Sequence, residues 1–374
     1  MCLLVQGGGI IPPPPFSQVT KYFSDLREDF TTVPSKPKRY AMPYKLSYDE
    51  CARVTDKAAG MLAQYCVDND IHYTVVGSSG GLDSAVTLAL AHRAEQIAKD
   101  KHDFKLTSVG IIMPCKSAPD AERLGRKAIN YFGAQEVMID LTSQFDFAFD
   151  PNWADQIKGD TIGVVPNTDQ QVKSILHATN GGKALASWDW SQRIAQGNLK
   201  ARLRMMFGSY HIARMMGGMV LSTDNWSEFM MAFWTICGDV GDYGMIQQML
   251  KGLELYDLAP YLGVPQEIID AKPDDGLNVG NGDEDQLGAD YATIDYVMTI
   301  LIQNGFDPDA SHDQLDSLPD VPNVKAILVK RLATRAINGA FKRHGTVVLT
   351  REELGLEPIN EIINPKPIKG GQGW

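Results

Sequence analysis

Tyr73-Thr74-Val75-Val76, followed by Gly77-Ser78-Ser79-Gly80-Gly81-Leu82-Asp83-Ser84-Ala85, is the stretch on which the reading of this chain turns. A short apolar strand runs into a turn of small residues, and a helical stretch from about Asp83 to Lys99 follows. A strand that turns and restarts as a helix gathers unpaired N–H groups at one point, beside the positive end of the helix dipole. Gly80 and Gly81 let the backbone approach an anion closely and take conformations that side chains resist. Ser79 and Ser84 add hydroxyl donors. Asp83 is the unusual member, because a carboxylate repels phosphate unless a cation lies between them, so it implies bound magnesium. Gly77, Ser78, Ser79, Gly80, Gly81, Leu82, Asp83 and Ser84 are therefore read as a phosphate cradle. The simpler alternative is a Gly/Ser turn before a capped helix. The loop is neither a Walker A loop, since no Gly-Lys-Ser/Thr follows, nor a dinucleotide fingerprint, since Gly-x-Gly-x-x-Gly spacing is absent.

Outward from this loop the pattern repeats. Strands are expected at Leu106 to Met113, Val137 to Leu141 and Met219 to Ser222. Helices are expected from Asp120 to Phe132, from Asn198 to Met216 and from Asn225. Before the loop, Ser47 with Glu50 three residues on predicts a capping box that opens a helix. Strands separated by helices imply an α/β fold: a doubly wound, mostly parallel sheet with helices on both faces. The region from Thr142 to Gln196 is less regular and reads as long loops with short helices. Residues 1–45, with Pro12 to Pro15, read as an arm, residues 46–310 as the main domain with an irregular insertion at 142–196, and 311–374 as a C-terminal helical segment and tail. In the C-terminal third of the chain, helices are expected from Asp285 to Gln303 and from about Val321 to Arg343.

Composition narrows the function classes. The 374 residues carry a formal net charge of −11, which argues against a broad nucleic-acid surface. No apolar run reaches the roughly 18 residues of a membrane span. The apolar start, Met1 to Ile11, has no basic lead and makes a poor signal peptide, so a cytoplasmic setting is expected. The five cysteines are scattered without a CxxC pair, which suggests neither a disulfide framework nor a zinc site.

Ser79 to Ser84 resembles the pyrophosphate loop of the N-type ATP pyrophosphatases, which cleave ATP between its α and β phosphates. Four further segments resemble the NAD synthetase branch of that group. In Gly197-Asn198-Leu199-Lys200-Ala201-Arg202-Leu203-Arg204, the resemblance implies that Arg202 contacts deamido-NAD. In Leu221-Ser222-Thr223-Asp224-Asn225-Trp226-Ser227-Glu228, it implies that Thr223 contacts ATP and that Glu228 shares the magnesium with Asp83. In the stretch from Thr235 to Lys251, Asp242 inherits a substrate contact and Lys251, nine residues on, an ATP contact. The fourth segment runs from Tyr261 through Lys272-Pro273 to Asp283-Glu284 and Leu287-Gly288, and Lys342 matches a substrate-binding lysine near the C-terminus. The chain departs from the pattern at Trp226, Val240, Phe341 and Asp274; the last stands where a hydroxyl residue contacts ATP.

The resemblance implies an ATP-dependent ligase. The carboxylate of deamido-NAD attacks the α-phosphorus of ATP, pyrophosphate leaves, and ammonia displaces AMP from the acyl-adenylate. Asp83 and Lys251 are the expected catalytic groups, with magnesium as cofactor and ATP as co-substrate. The nitrilase-like domain of glutamine-using members has no counterpart among the residues before the loop, so free ammonia is the expected nitrogen source unless a separate glutaminase subunit delivers it. The resemblance also implies a homodimer. Residues 142–196 are the expected lid over the reactive intermediate. Alternatives from the same loop class are a GMP-synthetase-like ligase or a tRNA thiolase; a non-catalytic nucleotide-binding homologue is the alternative from another class.

Overall fold

The structure, a computed structural model, describes residues 4–6, 9–11, 45–148, 183–277, 282–345 and 349–356. A small antiparallel hairpin pairs β1 (Leu4–Gln6) with β2 (Gly9–Ile11). The rest of the expected arm lies outside the described residues.

The body begins at α1 (Tyr48–Asp68) with the capping box read from the sequence: the Glu50 amide donates to Ser47 Oγ and the Ser47 amide to Glu50 Oε2. Five parallel strands then form one sheet in the order β5-β4-β3-β6-β7. These are β3 (Tyr73–Gly77), β4 (Thr107–Ile112), β5 (Gln135–Met138), β6 (Met219–Ser222) and β7 (Tyr243–Gly244). Between them run α2 (Leu82–His102), α3 (Pro119–Phe132), α4 (Thr142–Ala148) and α5 (Lys183–Leu203). A π-helical segment, Arg204–Ser209, continues α5 into α6 (Tyr210–Met216).

Side chains alternate across a strand, so neighbouring residues belong to different layers. Val76, Ile112 and Leu221 join the core formed with α1, α2 and α3, while Val75, Val109, Ile111 and Val220 join Ala213 of α6 on the opposite face. Helices therefore cover both faces, as the doubly wound reading requires. The chain winds from β3 toward β4 on one side and returns to β6 on the other. The crevice at the C-terminal ends of β3 and β6 is thus the topological switch point, where ligands bind in such sheets.

A second core lies beside the sheet. α7 (Trp226–Met230) contributes Met230, a π-helical segment (Lys251–Leu255) leads into α8 (Tyr256–Tyr261), and α9 (Gln266–Ile269) and α10 (Asp283–Leu287) follow. α11 (Tyr291–Gln303), α12 (Ala326–Asn338) and α13 (Ala340–Arg343) complete the described helices. Ile294, Val297, Met298 and Leu301 of α11 pack with Leu332, Ala333 and Ala336 of α12 and with Met230 and Met231.

Three expectations need correction. The segment read as irregular, 142–196, is helical at both described ends, in α4 and from Lys183 in α5; residues 149–182 lie outside the described residues. The helix expected over 285–303 is two helices, because Gly288 takes φ +77° and Asp290 caps a fresh start by accepting from the Thr293 amide. Strand β5 ends at Met138 and leaves Leu141 outside it.

Candidate active site

The turn after β3 has the cradle shape its residues predict. Gly80 adopts φ +86°, and a Cβ there would lie 2.5 Å from the Ala121 carbonyl oxygen, so only glycine fits. Ser78 is buried and donates its hydroxyl to the Gly125 carbonyl at 3.0 Å, tying the turn to α3. The Gly81 amide donates to Ser79 Oγ, and the Ser79 and Ser84 hydroxyls lie 3.2 Å apart. The Ser79 and Gly80 amides, by contrast, donate to no acceptor among the described residues. α2 begins just beyond with no side-chain cap. Free amides and an uncapped helix start make an anion site.

Asp83, in the first turn of α2, is where the loop meets a second group of residues. Asp83 Oδ2 lies 2.7 Å from Lys251 Nζ, and Glu228 Oε1 lies 2.9 Å from the same nitrogen. Asp283 Oδ2 is 4.0 Å away. Lys251 is 3% exposed and sits 4.1 Å over the ring of Tyr291. Tyr291 places its hydroxyl 3.0 Å from Glu228 Oε1 and 3.2 Å from Asp283 Oδ2. Asn225 joins the two halves: its Nδ2 donates to Asp83 Oδ1, and its Oδ1 caps α7 by accepting from the Glu228 amide, each at 3.0 Å.

The electrostatics are unbalanced. Three carboxylates, Asp83, Glu228 and Asp283, face one ammonium, a formal balance of −2 when all are ionised. Burial opposes the charge on Lys251, but these three carboxylates hold its proton well above the usual lysine range. Burial raises Glu228 despite the pull of Lys251, and its neighbours Asp83 and Asp283 push the same way. Burial also pushes Asp283 up to about 7. A divalent cation matches the excess charge, and Glu228 Oε2 accepts no hydrogen bond among the described residues. The donor set therefore fits the magnesium that the resemblance implies.

The remaining expected residues make contacts of their own. Thr223 directly follows β6 at the switch point, half-buried, and its hydroxyl has no hydrogen-bond partner among the described residues. Arg202 and Lys342 both attach to the segment after α7: Arg202 Nε donates to the Ile236 carbonyl at 3.2 Å, and Lys342 Nζ donates to the carbonyls of Ala232 and Trp234. Burial pushes Lys342 down to about 8. Asp242 sits apart from these. It immediately precedes β7, and its carboxylate accepts from Tyr210 Oη at 2.6 Å and from the Val220 amide at 2.9 Å. Asp274, the departure from the pattern, accepts from the Gly276 amide and is exposed.

Known proteins resemble this chain over most of its length. A family model described as NAD synthase matches residues 160–345. The NH(3)-dependent NAD(+) synthetase of Alkaliphilus metalliredigens is 31% identical over 248 residues, covering 66% of this chain and 85% of the relative. This chain belongs to the NAD synthetase family. Within the family, the NH(3)-dependent NAD(+) synthetase of Pyrococcus furiosus is 28% identical over 304 residues, covering 81% of this chain and 98% of that one. Among solved structures, the NMN synthetase of Francisella tularensis shares the fold, with a TM-score of 0.56, 22% identity and coverage of 80% of this chain and 98% of that chain. As a NAD synthetase family member the chain is an α/β ligase scaffold of the adenine nucleotide alpha-hydrolase kind. Among the described residues no helix is long and apolar enough to cross a membrane.

Three residues of the centre escaped the sequence reading: Asn225, Asp283 and Tyr291. Asn225 was within reach, since Asn followed three residues later by Glu is an N-cap signal. Asp283 was quoted only as part of a matching segment, and Tyr291 reads as an ordinary core aromatic. Their roles depend on which neighbours the fold supplies.

Proposed function

We propose that the chain catalyses ATP-dependent amidation of deamido-NAD to NAD with ammonia, through an acyl-adenylate, releasing AMP and pyrophosphate. The observation that carries this reading is the convergence of the amide-lined turn at 77–84 with Lys251, seated between Asp83 and Glu228. The free amides of Ser79 and Gly80 and the start of α2 bind the β and γ phosphates of ATP. Thr223, at the neighbouring strand end, offers its hydroxyl to the nucleotide. Asp83 and Glu228 would hold magnesium, which when bound neutralises charge on the departing pyrophosphate. Lys251 keeps its proton under the pull of its three carboxylates, so it presents a fixed positive charge toward the phosphates throughout turnover. Arg202 and Lys342, on the segment after α7, are the proposed contacts for the dinucleotide. Asp242 completes that set only if the substrate displaces Tyr210 from its carboxylate. The reading includes a homodimer, supported by the family resemblance, and a cytoplasmic setting, supported by the poor signal-peptide character of Met1 to Ile11.

The deciding experiment incubates the protein with ATP, magnesium, ammonium and deamido-NAD and separates the products. NAD and AMP in equal amounts are expected. ADP in place of AMP, or AMP formation that ignores deamido-NAD, would rule the reading out.

A further inference from the structure

α11 carries Tyr291 and Asp295 four residues apart, one turn on a single helix face. Both are fully buried: Tyr291 is 1% exposed and Asp295 0%. Tyr291 reaches the side-chain tips of the centre, with its hydroxyl on Glu228 Oε1 and Asp283 Oδ2 and its ring under Lys251 Nζ. Asp295 reaches the backbones beneath those tips. Its Oδ2 accepts from the Gly252 amide at 2.7 Å, and its Oδ1 accepts from the Ser227 hydroxyl. Ser227 Oγ in turn accepts from the Lys251 amide at 2.9 Å. Ser227 precedes Glu228 and Gly252 follows Lys251, so one carboxylate holds the neighbours of both residues. At Gly252 a Cβ would lie 2.3 Å from the Ala292 nitrogen; the backbone carrying Lys251 therefore rests directly on α11.

We infer that Tyr291 and Asp295 are positioning residues: this face of α11 sets the separation between the Lys251 ammonium and the Glu228 carboxylate on which adenylation depends. The inference rests on the function proposed above. Nearly every polar partner of the pair belongs to that centre or adjoins it, a concentration that packing alone does not require. The need is physical. A lysine stem carries about 2 kcal/mol of rotamer entropy, and an error of about 1 Å in a reacting geometry can cost about 100-fold in rate. A hydroxyl and a ring fix the tip; a carboxylate bridging two chain segments fixes the base.

Tyr291→Phe tests this, because it keeps the ring and its packing and removes only the hydroxyl. The expected result is a fall in kcat for NAD formation of about 10–100-fold, with KM for ATP changed by less than about 3-fold and the protein still fully folded at the assay temperature. Mn2+, added with ATP as a paramagnetic probe, is expected to bind about 10-fold more weakly, because Glu228 Oε1 has lost a donor. Asp295→Asn, which offers one carbonyl oxygen to two donors, is expected to give the same split between kcat and KM, and it decides the matter if Tyr291→Phe does not fold. A kcat within about 2-fold of the parent together with unchanged Mn2+ binding overturns the inference, as does a loss of kcat matched by an equal loss of folded protein. Should the parent protein form no NAD at all, the proposed function fails, and the Mn2+ titration still decides the role of Tyr291.

Discussion

The turn at 77–84 and the charge cluster around Lys251 share Asp83, yet they are built in opposite ways. The turn is local. Its donors are mostly backbone amides and its shape follows from Gly80 at φ +86°. The cluster is assembled from four separate pieces of chain, at 83, 225–228, 251 and 283–295, and its work is done by side chains. A local anion site can be read from contiguous residues, whereas a long-range cluster becomes visible only when the fold brings its charges together. The two also differ in how they fail. The turn loses a shape, and the cluster loses a balance of charge.

The largest expected effect is at the cluster. Lys251→Met removes the one cation between Asp83, Glu228 and Asp283 and leaves them buried and unpaired. Breaking a buried pair this way costs about 3–5 kcal/mol. Chemical denaturation should register that loss, and NAD formation should fall by at least about 100-fold. Wild-type stability would show that the carboxylates do not depend on Lys251. At the turn, Gly80→Ala introduces both a disfavoured φ and a contact at 2.5 Å with the Ala121 carbonyl. A cost of about 2–4 kcal/mol is expected, together with weakened ATP binding measured by calorimetry; normal ATP affinity would mean that the turn tolerates another shape.

A pH series sharpens the contrast, because the turn has almost nothing to titrate. Burial pushes Asp239 up to about 6 and Asp295 up to about 7, both from 3.8. Between about pH 4 and 7 the folded state therefore holds more protons than the unfolded chain, so stability falls as pH rises through that window. Urea midpoints at pH 5 and pH 7.5 measure the fall, and Asp295→Asn should flatten it. A midpoint that rises over this interval would contradict the burial described for these carboxylates. The smallest effect is Ser79→Ala, which frees the Gly81 amide and removes one hydroxyl contact to Ser84, at about 0.5–1.5 kcal/mol. It should raise KM for ATP a few-fold and leave kcat nearly intact.

The same contrast accounts for what could be read from the sequence. The apolar strands at 73–77 and 107–112, the capping box at Ser47 and the small-residue turn between strand and helix depend on near neighbours, and the structure has each of them. Glu228 and Lys251 came through family resemblance alone, and the structure places their side chains 2.9 Å apart. Tyr291 was opaque because nothing local marks a helix-start tyrosine as a partner of Glu228, 63 positions away, or as a floor for an ammonium. Asp242 was opaque for the reverse reason. The resemblance implies a ligand contact, while in the fold its two oxygens accept from Tyr210 and from the Val220 amide of β6. The break between α10 and α11 was legible in principle, through Gly288 and the Asp290 to Thr293 cap, but an apolar stretch on both sides hid it.

The parallel winding has a consequence for the order in which the protein takes shape. β3, its turn and Asp83 leave the ribosome long before Lys251, and Tyr291 emerges later still. Until then the growing chain holds Asp83 and Glu228 with no counter-charge to draw them together. Residues far downstream must arrive before this corner can close, so the switch-point end of the sheet closes late, although its first strand is made early.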